Sequence, residues 1–154
     1  MNTENSVNKL IYFTRLIVLF LFGFGIITIL SLPFSIKWYI EHFETTSKDY
    51  YYAFVLIFAF CGVMALLILW QLKKMLDTVI SNDCFVLSNV VSLNKMSVYS
   101  ILITIAMVIR CIFTPTFTAA CMVLTFFIAS LFSKILAMVF ESAVNYKIEN
   151  DLTI

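Results

Sequence analysis

Charge is what this 154-residue chain has least of. Asp, Glu, Lys and Arg together make up 12% of it, against roughly 25% in soluble proteins. Glycine (3), proline (2) and histidine (1) are scarce as well. Each shortage excludes something. Gly23 and Gly25 lie inside an apolar run, so no glycine-rich loop is available to cradle a phosphate. His42 is the lone histidine, and the four cysteines form no CxxC, so no metal-ligand spacing exists. No intramembrane serine has a histidine or lysine placed to activate it, and neither paired aspartates nor an HExxH occurs. Those are the groups that nucleophilic, aspartyl or zinc hydrolysis would need. The apolar segments also lack the acidic residues on which proton- or sodium-coupled carriers depend. The chain is therefore expected not to be an enzyme, with no catalytic, cofactor-binding or metal-binding residues and no cofactor. A net charge of +1 predicts no direct nucleic-acid binding and no acidic partner.

What remains is apolar. Hydrophobic residues make up 62% of the chain and its mean hydropathy is +1.02. A chain of this size cannot hide that much apolar surface in a water-facing core, so its solvent is predicted to be the lipid bilayer. The length allows one domain, and four long apolar runs use most of it. The first, Leu16 to Leu32, follows Lys9 and Arg15 as a signal peptide's core would. It is too long for one and has no A-x-A-like site after it, so it reads as a retained span.

The spacing predicts an all-α polytopic membrane protein with four transmembrane helices and helical extensions beyond the membrane. The spans cover about 10–32, 51–71, 97–113 and 117–137, with a loop at 72–96 and a tail at 145–154. Pro33 is expected to end or kink the first, and the stretch from Phe34 to Asp49 to lie outside the membrane. Tyr50, Tyr51 and Tyr52 mark one end of the second and Trp70 the other, as interfacial aromatics do. Past Trp70, the residues Leu72, Met75, Leu76, Val79 and Ile80 keep a helical period while Lys73, Lys74 and Asp77 face away. That helix should run about two turns beyond the bilayer and break at Ser81-Asn82-Asp83. A short amphipathic lead, Phe85 to Leu93, precedes the third span, with Ser88 expected as its N-cap. Thr114-Pro115-Thr116 is predicted to form a tight turn. The last helix should also project past Lys134, before a polar tail.

Orientation follows from the basic residues in the flanks. Lys9, Arg15, Lys73, Lys74, Lys95, Lys134 and Lys147 lie on one side, and Lys37, Lys48 and Arg110 on the other. The chain is therefore expected in the cell membrane, with both termini and the middle loop cytoplasmic.

Few residues stand out within this frame. Arg110 is the one charge well inside a span, which makes it a functional candidate. Glu41 or Glu44 is a possible partner, and simple snorkelling to the headgroups is the plainer reading. Cys111 and Cys121 flank the outer turn and can approach each other, although buried cysteine usually acts as a small hydrophobe. Ser130, Ser133 and Ala137 form a small-residue stripe suited to close helix packing, within one bundle or in a homo-oligomer. On the cytoplasmic side the Phe85–Leu93 lead and the tail Glu149-Asn150-Asp151-Leu152-Thr153-Ile154 lie together. The tail's aliphatic end is suited to capture in a backbone nest or to addition as a strand on a partner.

At these last two places the chain resembles the YoaS-like family of small four-span bacterial membrane proteins. Phe85, Asn89 and Leu93 match the family's loop spacing, and Glu149 to Ile154 match its C-terminal signature. Asn82 and Cys84 depart from it where glycine and proline are common. The resemblance covers nearly the whole chain. It implies a gene neighbour encoding a small helix-turn-helix regulator, and hence a membrane protein that restrains such a partner at the cytoplasmic face. The expected contacts are Phe85, Asn89, Leu93, Glu149, Asn150, Asp151, Leu152, Thr153 and Ile154. The alternative is a small transporter, export accessory or immunity protein acting on a membrane-active compound, with Arg110 in its pathway.

Overall fold

The computed structural model describes residues 2–43, 51–81 and 84–152. These form four helices: α1 (Asn2–Phe43), α2 (Tyr51–Ile80), α3 (Leu87–Phe113) and α4 (Phe117–Leu152). No strand occurs among the described residues. All four helices are long and apolar enough to cross a membrane. They pack in chain order, α1 on α2, α2 on α3 and α3 on α4, so α3 has a neighbour on either side.

Few large side chains are buried. Phe20, Leu30, Leu56 and Phe132 remain exposed within the chain, and water is not a solvent that such a surface tolerates over four helices. The outward faces are those of a multi-pass membrane protein in contact with lipid.

Three features of the helices differ from their expected form. Of the two outcomes expected at Pro33, an end or a kink, the end does not occur: α1 continues to Phe43. Proline is tolerated in a membrane helix because other groups take over the freed backbone. The carbonyl that Pro33 leaves without its amide partner is that of Ile29; the Tyr51 hydroxyl of α2 separately donates to the Pro33 carbonyl at 3.0 Å. Residues 85–93 are not a separate lead either. Helix α3 starts at Leu87 and runs unbroken to Phe113, and its N-cap is Val86 in extended conformation, not Ser88. Finally, the expected polar tail is helical as far as Leu152, so Glu149 to Leu152 are not free to add as a strand. Thr153 and Ile154, like Glu44 and the Asn82-Asp83 part of the expected break, lie outside the described residues.

Contact between α1 and α2 is close at two glycines. A Cβ on Gly62 would come within 2.7 Å of Ile29 Cγ1, and one on Gly25 within 2.8 Å of Leu66 Cδ2. Each helix thus offers a glycine to a branched side chain of the other. Between α3 and α4 the same purpose is served by small residues. Ala119, Ser130, Ser133 and Ala137 are all buried against the face of α3 that carries Ser97, Ser100, Ile103, Thr104 and Met107. The serine stripe of α4 therefore packs within its own chain. Ser97 Oγ donates to the Ser130 carbonyl and Ser130 Oγ to the Ser97 carbonyl, each at 2.9 Å. In lipid, such pairs join helices that have no hydrophobic reason to associate.

Candidate functional site

The two ends of the molecule have different chemistry. At the end of the α3–α4 turn, the residue before Pro115 is held extended because proline disfavours the helical conformation there, and α3 stops at Thr114. Thr116 Oγ1 then accepts the Ala119 amide at 3.3 Å, an N-cap for α4. The same oxygen accepts a hydrogen bond from Arg110 Nη1 at 3.1 Å. The guanidinium lies over the rings of Phe54 and Phe58 of α2, 5.7 and 5.2 Å from their centroids. Arg110 is thus held by a hydroxyl and two aromatic faces, not by Glu41, which is exposed on α1. Its Nε and the Thr114 hydroxyl are buried without a hydrogen-bond partner among the described residues. The four cysteines, including Cys111 and Cys121, are free thiols. His42 is engaged locally: its Nδ1 lies 2.9 Å from the Trp38 carbonyl and its ring stacks on Trp38.

The opposite end gathers the start of α1, the link between α2 and α3, and the last turns of α4. Arg15 of α1 pairs with Asp77 of α2 at 3.1 Å. Lys134 of α4 donates to Asn94 Oδ1 of α3 at 2.7 Å. The Phe85 ring packs on Phe140 with centroids 5.7 Å apart. At the centre stands Asn89. Its Nδ2 donates to Thr78 Oγ1 and to the Cys84 carbonyl, both at 2.8 Å, and its Oδ1 lies 3.0 Å from Thr78 Oγ1. One amide thereby ties the last turn of α2, the link and the first turn of α3 together.

This arrangement divides the expected contact residues. Phe85 is 49% exposed, whereas Asn89 and Leu93 are 2% and 4% exposed. A partner docking on this surface meets Phe85 but not Asn89 or Leu93, whose spacing reflects the inner face of a helix. They position the link. Glu149 and Asn150 are exposed on α4 and both are engaged in contacts of their own. Helix α4, with 36 residues, is roughly 54 Å long, well beyond a hydrocarbon thickness of about 30 Å. Its charged residues begin with Lys134 at the helix midpoint, and Glu141, Lys147, Glu149 and Asp151 all fall in the C-terminal half, so that is the half that projects.

A cavity of about 510 Å³ opens between α2 and α3 at this same end, lined by Gln71, Lys74, Asp77, Asn89, Ser92 and Lys95 among others. The sequence reading missed it. Gln71 stands at a span's end, where a polar residue is common, and no motif singles it out. A possible signal was the spacing of Gln71, Lys74 and Thr78, which puts all three on one face of the helix.

Fold and site together define a small multi-pass membrane protein with an apolar middle and one polar, helix-extended end. No solved structure matches it, and no curated protein matches its sequence. A family model does match residues 14–154, and the chain belongs to that family, described as DUF2975, proteins of unknown function.

Proposed function

We propose that this chain is a membrane-anchored regulatory protein without catalytic activity, which binds and restrains a small helix-turn-helix transcription factor. Both termini and the α2–α3 link face the cytoplasm on this reading, in keeping with the excess of Lys and Arg at that end. The observation that carries it is the exposed apolar surface at the projecting end. Phe85, Leu87, Tyr146 and Ile148 are all exposed there, and Tyr146 and Ile148 lie on the part of α4 that outruns the bilayer. Lipid cannot cover them, whereas a small helical protein can. The resemblance to the YoaS-like proteins, encoded beside helix-turn-helix regulators, supports the same partner class. Restraint works by sequestration: a factor held at the membrane is withdrawn from DNA until a signal in the bilayer or outside it shifts the helices. A transporter or immunity role is a second reading, favoured by the incompletely bonded guanidinium of Arg110 at the opposite end.

Topology is tested first. A thiol reagent unable to cross the membrane is expected to leave Cys84 unmodified in intact cells and to reach it in inverted vesicles. Labelling from outside would reverse the orientation and place the projecting end away from DNA.

The partner is tested by co-purification, with the full chain, of a small helix-turn-helix protein of the kind that the resemblance implies is encoded beside it. Phe85→Asp and Tyr146→Asp together, or deletion of Glu149 to Ile154, are expected to lower its recovery at least about tenfold, as when an interface anchor is lost. Recovery that is unchanged in both variants overturns the regulatory reading. A change in susceptibility to a membrane-active compound that depends on Arg110 selects the second one.

A further inference from the structure

The cavity between α2 and α3 has the composition of an anion site. Gln71 and Ser92 line it while only 5% exposed each. Neither has a hydrogen-bond partner among the described residues. The amide and the hydroxyl belong to largely buried side chains, and both border the same space. Lys74 and Lys95 are exposed at its rim. Its one carboxylate, Asp77, is engaged by Arg15 at 3.1 Å, which leaves the two lysine charges in excess. The first turn of α3 contributes Ser88 and Asn89 to the wall, and its N-cap, Val86, supplies no side-chain acceptor. The positive end of the helix dipole there is uncapped.

Depth narrows the ligand class. Gln71 directly follows Trp70, an interfacial aromatic that packs on Phe22 and carries the Lys73 ammonium 5.1 Å above its ring. The cavity therefore lies at headgroup level, where the anions present in quantity are phosphodiesters. Basic pockets between membrane helices at that depth hold phospholipid headgroups, and the volume falls within the range of small-molecule sites.

We propose that the α2–α3 cavity binds a phosphate-bearing anion at headgroup depth. Lys74 and Lys95 supply the charge, and Gln71 and Ser92 donate hydrogen bonds to the phosphate oxygens. The site does not depend on the helix-turn-helix partner proposed above, nor on which side of the membrane this end faces.

The test uses the full chain in phosphatidylcholine nanodiscs with a minor share of phosphatidylglycerol, and native mass spectrometry of the lipid retained. Wild type is expected to keep phosphatidylglycerol in preference to phosphatidylcholine. Lys74→Gln with Lys95→Gln should reduce that preference about 25-fold, roughly fivefold for each lysine at the surface. Gln71→Leu and Ser92→Ala leave the charge unchanged and are each expected to reduce it severalfold. Ser92→Ala is the safer of the two for folding. Lys73→Gln, whose ammonium lies over Trp70 and outside the cavity lining, should reduce the preference less than a change at either cavity lysine. A second arm titrates inorganic phosphate calorimetrically into protein in phosphatidylcholine alone. Heat that disappears in the double lysine variant assigns a soluble phosphate compound as the source. No heat, together with a phosphatidylglycerol preference, assigns the lipid. The proposal is overturned if neither anion binds. It is overturned equally if the lysine variants lose the preference while Gln71→Leu and Ser92→Ala both retain it, since that pattern is ordinary surface attraction.

Discussion

Replacing Asn89 with leucine is expected to loosen the whole α2–α3 link, although leucine is more apolar and similar in size. The side chain is 2% exposed and its amide donates to Thr78 Oγ1 and the Cys84 carbonyl at 2.8 Å each. Leucine removes both donors. The Thr78 hydroxyl keeps its contact with the Met75 carbonyl at 2.7 Å, but the Cys84 carbonyl loses the bond that Asn89 gives it. One orphaned buried group costs about 1–3 kcal/mol, which for a chain of this size lowers the unfolding temperature by roughly 5 °C. Asn89→Asp should do worse: the Thr78 hydroxyl can still donate to it, but an ionised carboxylate is buried and sets an acceptor against the Cys84 carbonyl. Limited proteolysis provides a local readout: cleavage between Ser81 and Val86 should accelerate in both variants, as local opening does where contacts are few. A cycle with Thr78→Val should give a clear coupling term. Independent, additive effects together with unchanged cleavage would show that Asn89 does not hold the link.

Asn89 also shows where the sequence was legible and where it was not. Its spacing with Phe85 and Leu93 was visible, and such spacing reads equally well as a contact motif or as a buried helical face. Only packing distinguishes them, since the partners, Thr78 and Cys84, are separated from Asn89 by a turn whose geometry the sequence does not state. The four helices were legible because apolar runs of membrane-crossing length have few other uses. Their ends were less so. Pro33 signals a break in water, but in lipid the helix continues, because there is no solvent to take over the backbone groups. The polar residues after Asn145 resembled a tail, yet the helix simply outlasts the membrane. Thr116 serves as both cap of α4 and acceptor for Arg110, and this could not be foreseen from a search for a carboxylate partner. Gln71 and Ser92 were missed for a related reason: a polar residue near a span's end is common, and its burial depends on a neighbouring helix.

The two ends divide the labour of the fold. At the turn end, Arg110 connects α3, the α4 cap and two rings of α2. At the other end, Asn89 connects α2 to α3, and Lys134 connects α4 to α3. Helix α3 takes part in every one of these contacts. A shift of α3 along its axis would therefore be felt at both ends, which is what a protein needs if a stimulus at one face is to alter a surface at the other.

Ser130 ties α4 directly to α3, and Ser130→Leu is expected to be strongly damaging. Ser130 is 6% exposed, its hydroxyl oxygen lies 3.2 Å from that of Ser97, and each donates to the other's carbonyl. Ala119, Ser133 and Ala137 keep the rest of that face of α4 small and buried, so no neighbouring side chain can move aside. Added bulk must push the helices apart, at about 1–3 kcal/mol for overpacking, with the lost cross-helix bonds adding on average about 0.6 kcal/mol each. Ser130→Ala removes the bond that Ser130 Oγ donates but keeps the carbonyl that accepts from Ser97, and without added bulk it should cost only the smaller amount, so the expected order is leucine well below alanine, and alanine modestly below wild type. Thermal unfolding in mild detergent gives the order directly. Size-exclusion chromatography of the same samples separates the packing role from the alternative. If the serine stripe instead joins two copies of the chain, Ser130→Leu will change the particle size while the monomer melts as wild type does, and the intrachain account of α3 and α4 fails.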